Sequence, residues 1–491
     1  MHNIIELDQI MDASIPLVVI ETFEEKRVED QLLNLVSQRA SQLWRWSLTD
    51  GLARLSFGPQ LASTQTQFNE PVELLRHIKS STEARVFMLC DFHPYLQDQA
   101  EVIRLIKDIA LNHLSVPHTL IFVSHRLSLP RELSRYAVRY SLALPDEDRI
   151  MEIVRDEARA WSRKNGNARL KTDSVTLKKL MVTLQGLSAS DVRRLVRTAI
   201  WNDGAITETD LPLLNRSKFQ LLDLEGVVNF EHKTGSFADV GGLDNLKRWL
   251  GHRREAFLSA ALDRPKGILL LGVQGGGKSL AAKAVAGLWD VALLRLDMGA
   301  LYNKFYGETE RNMREALSLA DAMSPCVLWL DELEKGMSQE GNDNGTSQRL
   351  LGTLLTWMAE RNNRVFIVAT SNDISRLPPE LIRKGRLDEI FFVDLPDAEI
   401  RQEIFSIHLQ RRDFNPDAFD LSALSEASEG FSGAEIEQTV VAACYQTQSV
   451  NADLQTEHIL EECRATSPLS VVMAEQIQGL RRWASERTVP A

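Results

Sequence analysis

The sequence predicts an α/β protein of two modules in tandem, each a parallel sheet flanked by helices and followed by a helical segment. Three observations carry that reading. An apolar run passes through a glycine loop into a helix at PKGILLLGVQGGGKSLAAKAVAGLW. A second apolar run, Cys326 to Leu330, ends in the carboxylates Asp331 and Glu332. The front half repeats the same order of signals without the glycines. At 491 residues, 44% hydrophobic and 25% charged, the chain has the composition of globular proteins and the length of about two to four domains.

Ile268 to Leu271 reads as a buried strand, and Leu280 onward as a helix whose alanines suit close packing. Between them Gly272, Val273, Gln274, Gly275, Gly276, Gly277, Lys278 and Ser279 fit G-x-x-x-x-G-K-[ST]. Successive glycines let backbone N–H groups point at phosphates, and the helix N-terminus adds a favourable dipole. Lys278 is expected to neutralise the β- and γ-phosphates and the Ser279 hydroxyl to ligate Mg²⁺. Asp331 is expected to hold the same ion through water, and Glu332 to polarise the attacking water. Alone, the loop could be a surface turn and the acidic strand end solvated charge. Together they point to ATP or ADP with Mg²⁺.

From about Ser236 to Arg464 the sequence resembles an AAA+ ATPase of the AAA branch that includes FtsH, katanin and the proteasomal ATPases. Along the whole chain it is similar to the bacterial, cyanobacterial and algal plastid ATPases known as a hypothetical chloroplast reading frame. Phe237-Ala-Asp-Val-Gly-Gly-Leu243 resembles the branch's entry motif, which implies that Asp239, Val240 and Gly241 lie at the adenine. The same match adds Leu280 to the nucleotide contacts. Val368-Ala-Thr-Ser-Asn372 places Asn372 as the sensor that orients the hydrolytic water. Leu381-Ile-Arg-Lys-Gly-Arg-Leu-Asp388 implies Arg383 and Arg386 as arginine fingers reaching a neighbour's site, hence a homo-oligomeric ring, by family habit a hexamer. Gly430-Phe-Ser-Gly-Ala-Glu-Ile436 resembles the lid motif in which Gly433 and Ala434 stand near the nucleotide; it also reads as a helix cap at Ser432 with Glu435.

Leu301-Tyr-Asn-Lys-Phe-Tyr-Gly-Glu-Thr-Glu310 resembles the loop that lines the pore of substrate-threading rings. The resemblance implies that Lys304, Phe305 and Tyr306 grip an extended polypeptide; ordinary packing is the alternative. Gly276, Ser279 and Leu387 depart from the family's usual threonines and phenylalanine, and none removes a required charge or hydroxyl.

The front half opens with SIPLVVIETFEEKR, a strand running into a helix with no glycine between them. Ala84 to Cys90 is an apolar strand ending at Asp91, with Phe92 set where the other half has Glu332. His118 to Ser124 reads as the next strand. Tyr140-Ser-Leu-Ala-Leu-Pro-Asp146 parallels Phe392-Val-Asp-Leu-Pro-Asp397, and Gly186-Leu-Ser-Ala-Ser-Asp191 parallels Gly430 to Glu435. A degenerate AAA+-like module that does not hydrolyse ATP is expected at 1–205, with its lid at about 147–205; an unrelated α/β domain is the alternative. A linker is expected at 206–235, the large ATPase subdomain at 236–396, a helical lid at 397–466 and a C-terminal helix at 467–491.

The net charge of −12 argues against non-specific adherence to nucleic acid, yet residues 149–200 carry twelve Lys/Arg against five Asp/Glu. That segment is either a solvated helical lid or a contact for nucleic acid or an acidic partner. Cys90, Cys326, Cys444 and Cys463 form no Cys-x-x-Cys pair and read as buried thiols. The opening residues carry Glu6, Asp8 and Asp12, and no apolar run approaches a membrane span of about 18 residues, so a cytoplasmic protein without a membrane partner is expected. The leading expectation is an ATPase that remodels or threads an unidentified polypeptide; a nucleic-acid motor or loader and a non-threading nucleotide switch are the alternatives.

Overall fold

The computed structural model describes all residues except 1, 14, 40, 57–61, 65–67, 223–227, 232–234, 260–262, 302–307, 338–343, 384, 450 and 451. It divides into two compact units, Met1–Leu144 and Pro145–Ala491.

In the first unit β1 (Leu17–Glu21), β2 (Leu43–Ser47), β3 (Gly51–Leu55), β4 (Ala62–Thr64), β5 (Val86–Cys90), β6 (Thr119–Ser124) and β7 (Ala137–Tyr140) form one sheet in the order β4-β3-β2-β5-β6-β1-β7. From β2 to β7 all neighbours are parallel, and β3 and β4 extend the sheet antiparallel. β5 and β6 are buried throughout, which is why VFMLC and TLIFVS are continuous apolar runs without alternation. Leu74, Leu75 and Ile78 of the helix Pro71–Ser80 and Val102, Ile106 and Ile109 of the helix Ala100–Leu111 cover one face. Val28, Leu32 and Leu35 of the helix Glu25–Gln38 cover the other.

The second unit begins with the helices Glu147–Lys164, Ser174–Leu184, Ala189–Asp203 and Asp210–Leu222, which share a core of Ile150, Leu180, Leu184, Val192, Ile200 and Leu214. Asp146 caps the first of them, accepting from the Arg149 N–H, and Ser188 caps the third. This segment, expected to close the front module, groups with the back half of the chain. Phe219 and Leu222 pack against that half's core, Lys179 meets Asp290 at 2.8 Å, and Arg364 Nη2 donates to Gln185 Oε1 at 2.7 Å. Gly186 holds φ +82°, and a Cβ there would lie 2.5 Å from the Ala322 carbonyl oxygen. Residues 206–235, expected as a linker, carry the helix Asp210–Leu222 and the short β8 (Asn229–Phe230), because Leu211 and Leu214 find a core to bury in.

β9 (Gly267–Gly272), β10 (Ala292–Asp297), β11 (Cys326–Asp331), β12 (Val365–Ser371), β13 (Glu389–Val393) and β14 (Val489–Pro490) join β8 in the order β14-β13-β9-β12-β11-β10-β8. Taken in chain order, β9 to β13 stand fourth, first, second, third and fifth across the sheet, counted from β10, and so do β1, β2, β5, β6 and β7 in the first unit, counted from β2. Register extends the match to single residues. Ile20 faces Val123 and Tyr140 as Leu270 faces Thr370 and Phe391, which sets Leu144-Pro145-Asp146 on Leu395-Pro396-Asp397. On the same register Cys90 falls on Asp331 and Asp91 on Glu332, and Asp91 and Glu332 share a left-handed backbone, φ +49° and +50°. Setting Asp91 against Asp331 from sequence is therefore off by one residue.

A second helical bundle, Ala398–Gln410, Leu421–Ala427, Gly433–Ser449 and Thr456–Ala465, packs around Phe405, Leu409, Ile436 and Val440. The last helix, Ala474–Ala484, leads to β14 beside β13. No helix among the described residues is long and apolar enough to cross a membrane. All four cysteines are buried and unpaired, and burial pushes the thiols of Cys463 and Cys326 up to about 11 and about 12, so neither is a ready nucleophile.

Candidate active site

The glycine loop lies where β9 ends at the C-terminal edge of its sheet. Gly275 and Gly277 hold φ of +77° and +96°, conformations open to glycine, and the helix Lys278–Trp289 starts directly behind them. Lys278 is buried and its ammonium donates to the carbonyls of Gly272 at 2.9 Å and Val273 at 2.7 Å. Burial pushes its pKa down to about 8, against the opposing pull of the Glu334 and Asp331 carboxylates.

A cleft of about 440 Å³ opens in front of the loop. Gln274, Gly275, Gly276, Gly277, Lys278, Ser279 and Leu280 form its floor. Asp331, Glu332 and Asn372 close one side at the ends of β11 and β12. Asp239, Val240 and Gly241 enter from another side, and Gly433 and Ala434 come from the lid bundle. The Ala434 N–H donates to the Gly275 carbonyl at 3.2 Å, and a Cβ on Gly275 would lie 2.8 Å from Ser432 Oγ, so loop and lid are in direct contact. Gly272 and Val273 reach the site through Lys278 without lining the cleft. Arg383 and Arg386 do not line it either; Arg383 is exposed and Arg386 Nη1 donates to the Glu380 carbonyl. Lys304, Phe305 and Tyr306 lie outside the described residues, as does most of the glycine-rich stretch after the acidic strand.

Further residues of the cleft escape the motifs. Arg295 of β10 donates from Nη2 to Asp331 Oδ2 at 2.7 Å. Thr370 donates to Asp331 Oδ1 at 2.8 Å and accepts from the Glu332 N–H at 3.3 Å, tying the two strand ends together. Buried Glu334 accepts from both the backbone and the side-chain amide of Asn372, at 3.0 and 3.2 Å, which fixes that side chain. Its signal was the third acid of Asp331-Glu332-Leu-Glu334. Ile404, Ile407 and His408 of the lid wall the side near Val240, and burial keeps the His408 imidazole below its usual range despite Glu437 3.5 Å away. Arg295 and Ile404 carry no local sequence pattern that announces them.

The donor set fits a nucleotide with Mg²⁺: a buried cation beside a glycine cradle, and the Ser279 hydroxyl and Asp331 carboxylate on one cleft. The ATPase family associated with various cellular activities (AAA) matches residues 268–395, and SpoVK-like AAA ATPase N-terminal and second domains match 4–142 and 148–225. An uncharacterized AAA domain-containing protein ycf46 of Trieres chinensis is 34% identical over 490 residues, 98% of this chain and 96% of that one. The chain belongs to the AAA ATPase family. Another AAA domain-containing protein ycf46, from Guillardia theta, is 33% identical over 97% of this AAA ATPase and 94% of its own length. A proteasome-activating nucleotidase of Aeropyrum pernix is 31% identical over 65% of this chain and 78% of its own. Hydrolysis of ATP is accordingly the activity of this AAA ATPase.

Proposed function

We propose that the protein assembles head to tail into a ring, six subunits by family habit, and couples Mg²⁺-dependent ATP hydrolysis to the remodelling or threading of a protein substrate. One division among the site residues carries the ring. Lys278, Ser279, Asp331, Glu332 and Asn372 share the cleft, whereas Arg383 and Arg386 stand off it. Arg295, the arginine that lines it among the described residues, is engaged by Asp331 and lies 3.9 Å from Glu231. A neighbouring copy's Arg383 and Arg386 would supply the charge that the γ-phosphate calls for.

In this reading Lys278 holds the phosphates, the loop N–H groups orient them, and Val240, Gly241 and the lid isoleucines enclose the base. Mg²⁺, held by Ser279 and through water by Asp331, would supply neutralisation of charge on the phosphate oxygens. Glu332 takes up the proton of the attacking water, and Asn372, fixed by Glu334, orients that water. The first unit, with no glycines after β1 and an acidic Glu24-Glu25 at the start of its helix, would bind no phosphate there. Lys304, Phe305 and Tyr306 would grip substrate. Support for a polypeptide as substrate comes from the likeness to the proteasome-activating nucleotidase. In the basic segment Arg193 and Arg197 both turn to buried Glu157 and Lys179 to Asp290, which supports a helical scaffold over a nucleic-acid contact.

ATPase rate against protein concentration tests the proposal. A cooperative rise, loss of about 10³-fold or more in Arg386→Ala, and stimulation by an unfolded protein are expected. A concentration-independent rate that survives Arg386→Ala overturns the ring and leaves a switch; stimulation by DNA or RNA alone turns the reading to a nucleic-acid motor.

A further inference from the structure

The first unit carries no glycine between β1 and the helix Glu25–Gln38, yet the edge of its sheet that corresponds in register to the hydrolytic centre is furnished with different chemistry. On the shared register Asp91 stands at the place of Glu332, His93 at that of Glu334 and His125 at that of Asn372. Each offers one ligand atom, and the three atoms lie within 4.8 Å of one another. His93 Nδ1 is 3.9 Å from Asp91 Oδ1, and the two imidazoles meet edge to face with centroids 4.9 Å apart.

We propose that Asp91, His93 and His125 form a binding site for a divalent first-row transition metal, zinc in the first instance, at the C-terminal ends of β5 and β6. Two imidazoles and one carboxylate are a donor set that such ions take in preference to Mg²⁺ or Ca²⁺, which favour oxygen. Around tetrahedral zinc the donor atoms stand about 3.3 Å apart, so closing the site needs a contraction of about 1.5 Å, within reach of exposed side chains. Asp91 and His125 are exposed and His93 half-buried, so the path to solvent is open. The surroundings hold the ligands in place. Ser124 Oγ lies 3.3 Å from His93 Nδ1, Phe23 stacks on His125 with centroids 5.8 Å apart, and the Asp91 N–H donates to the Val123 carbonyl at 2.9 Å. The left-handed backbone of Asp91, φ +49°, turns the chain sharply at the strand end and sets its carboxylate beside the loop that carries His93. With three protein ligands, coordination positions remain for water or a small ligand.

The test is titration of the chelator-stripped, nucleotide-free full chain with Zn²⁺ by calorimetry, and with Co²⁺ read by its visible absorption. One ion per chain is expected, with a Co²⁺ spectrum of nitrogen and oxygen ligation. His93→Ala and His125→Ala should each weaken binding at least about 100-fold, and Asp331→Asn, in the other unit, should leave it unchanged. Circular dichroism of each variant confirms that it is folded. Should a variant fail to fold, the wild-type stoichiometry and cobalt spectrum still decide. Absence of a stoichiometric ion in the wild type, a thiolate-type cobalt spectrum, or folded histidine variants that bind as the wild type does overturns the site, whatever becomes of the ring.

Discussion

Arg295 Nη2 lies 2.7 Å from Asp331 Oδ2, so the carboxylate proposed to hold the metal is held by an arginine in the protein alone. The guanidinium also sits 4.8 Å from the centre of the Trp329 ring, which keeps it at that post. Arg295 would therefore compete with a metal ion held by Asp331. Since its side chain is about a third exposed, the pair contributes about 0.5–1 kcal/mol. Arg295→Met should lower the free Mg²⁺ needed for half-maximal ATPase by about two- to fivefold. A titration of rate against free Mg²⁺ checks this, and an increased requirement would show Arg295 to aid the metal instead.

Lys278 makes nucleotide binding depend on pH. Burial depresses its pKa from 10.5 to about 8, so the free protein loses this charge as pH rises through about 8, while bound phosphates hold the proton on. ATP should bind with uptake of close to one proton at pH 9 and weaken toward about tenfold per pH unit there. Calorimetry in two buffers of different ionisation enthalpy measures the uptake. The same depression has a stability consequence: the unfolded chain holds the proton up to about 10.5, so Lys278 adds stability as pH rises from about 8 and that contribution is lost as pH falls back through about 8.

Glu332→Gln should reduce ATP turnover by about 10²- to 10⁴-fold and leave ATP binding within a few-fold of wild type. Its backbone N–H reaches Thr370 and its carboxylate meets Lys335 at 2.6 Å, so the amide keeps the shape and loses the base. A fluorescent nucleotide titration beside a phosphate-release assay separates the two effects.

How much of this was legible in the sequence depends on how local the signal is. The phosphate loop could be seen because glycine, lysine and serine must follow one another on one turn; Asp331 and Glu332 could be seen because they end an apolar run. Arg295 could not, because β10 and β11 become neighbours only by pairing, and Asp331 meets Arg295 across 36 residues. The likeness of the two sheets was legible in outline from Leu-Pro-Asp at 144–146 and 395–397. Its register was not, since an apolar strand shows where it ends only to within a residue, and Asp91 took its place through backbone geometry.

Gly186 offers a test of how the helices after Pro145 are attached. Its positive φ and the 2.5 Å approach of a Cβ to the Ala322 carbonyl make Gly186→Ala costly, about 1–3 kcal/mol. Gly479, inside the helix Ala474–Ala484 with open space about its Cα, should accept alanine with a gain of about 0.5–1 kcal/mol. Chemical denaturation of both variants checks the opposite signs.

β14 consists of Val489 and Pro490 laid along β13, with the Ala491 N–H donating to the Phe392 carbonyl at 3.0 Å. A sheet margin left bare invites strands of other molecules to add to it, and proline, lacking an N–H, is a poor template for the next one. The final residues thus act as selvedge, hemming the ATPase sheet against unravelling into intermolecular β-structure. Trimming 487–491 should leave nucleotide chemistry in place and turn a soluble preparation into one that precipitates on standing.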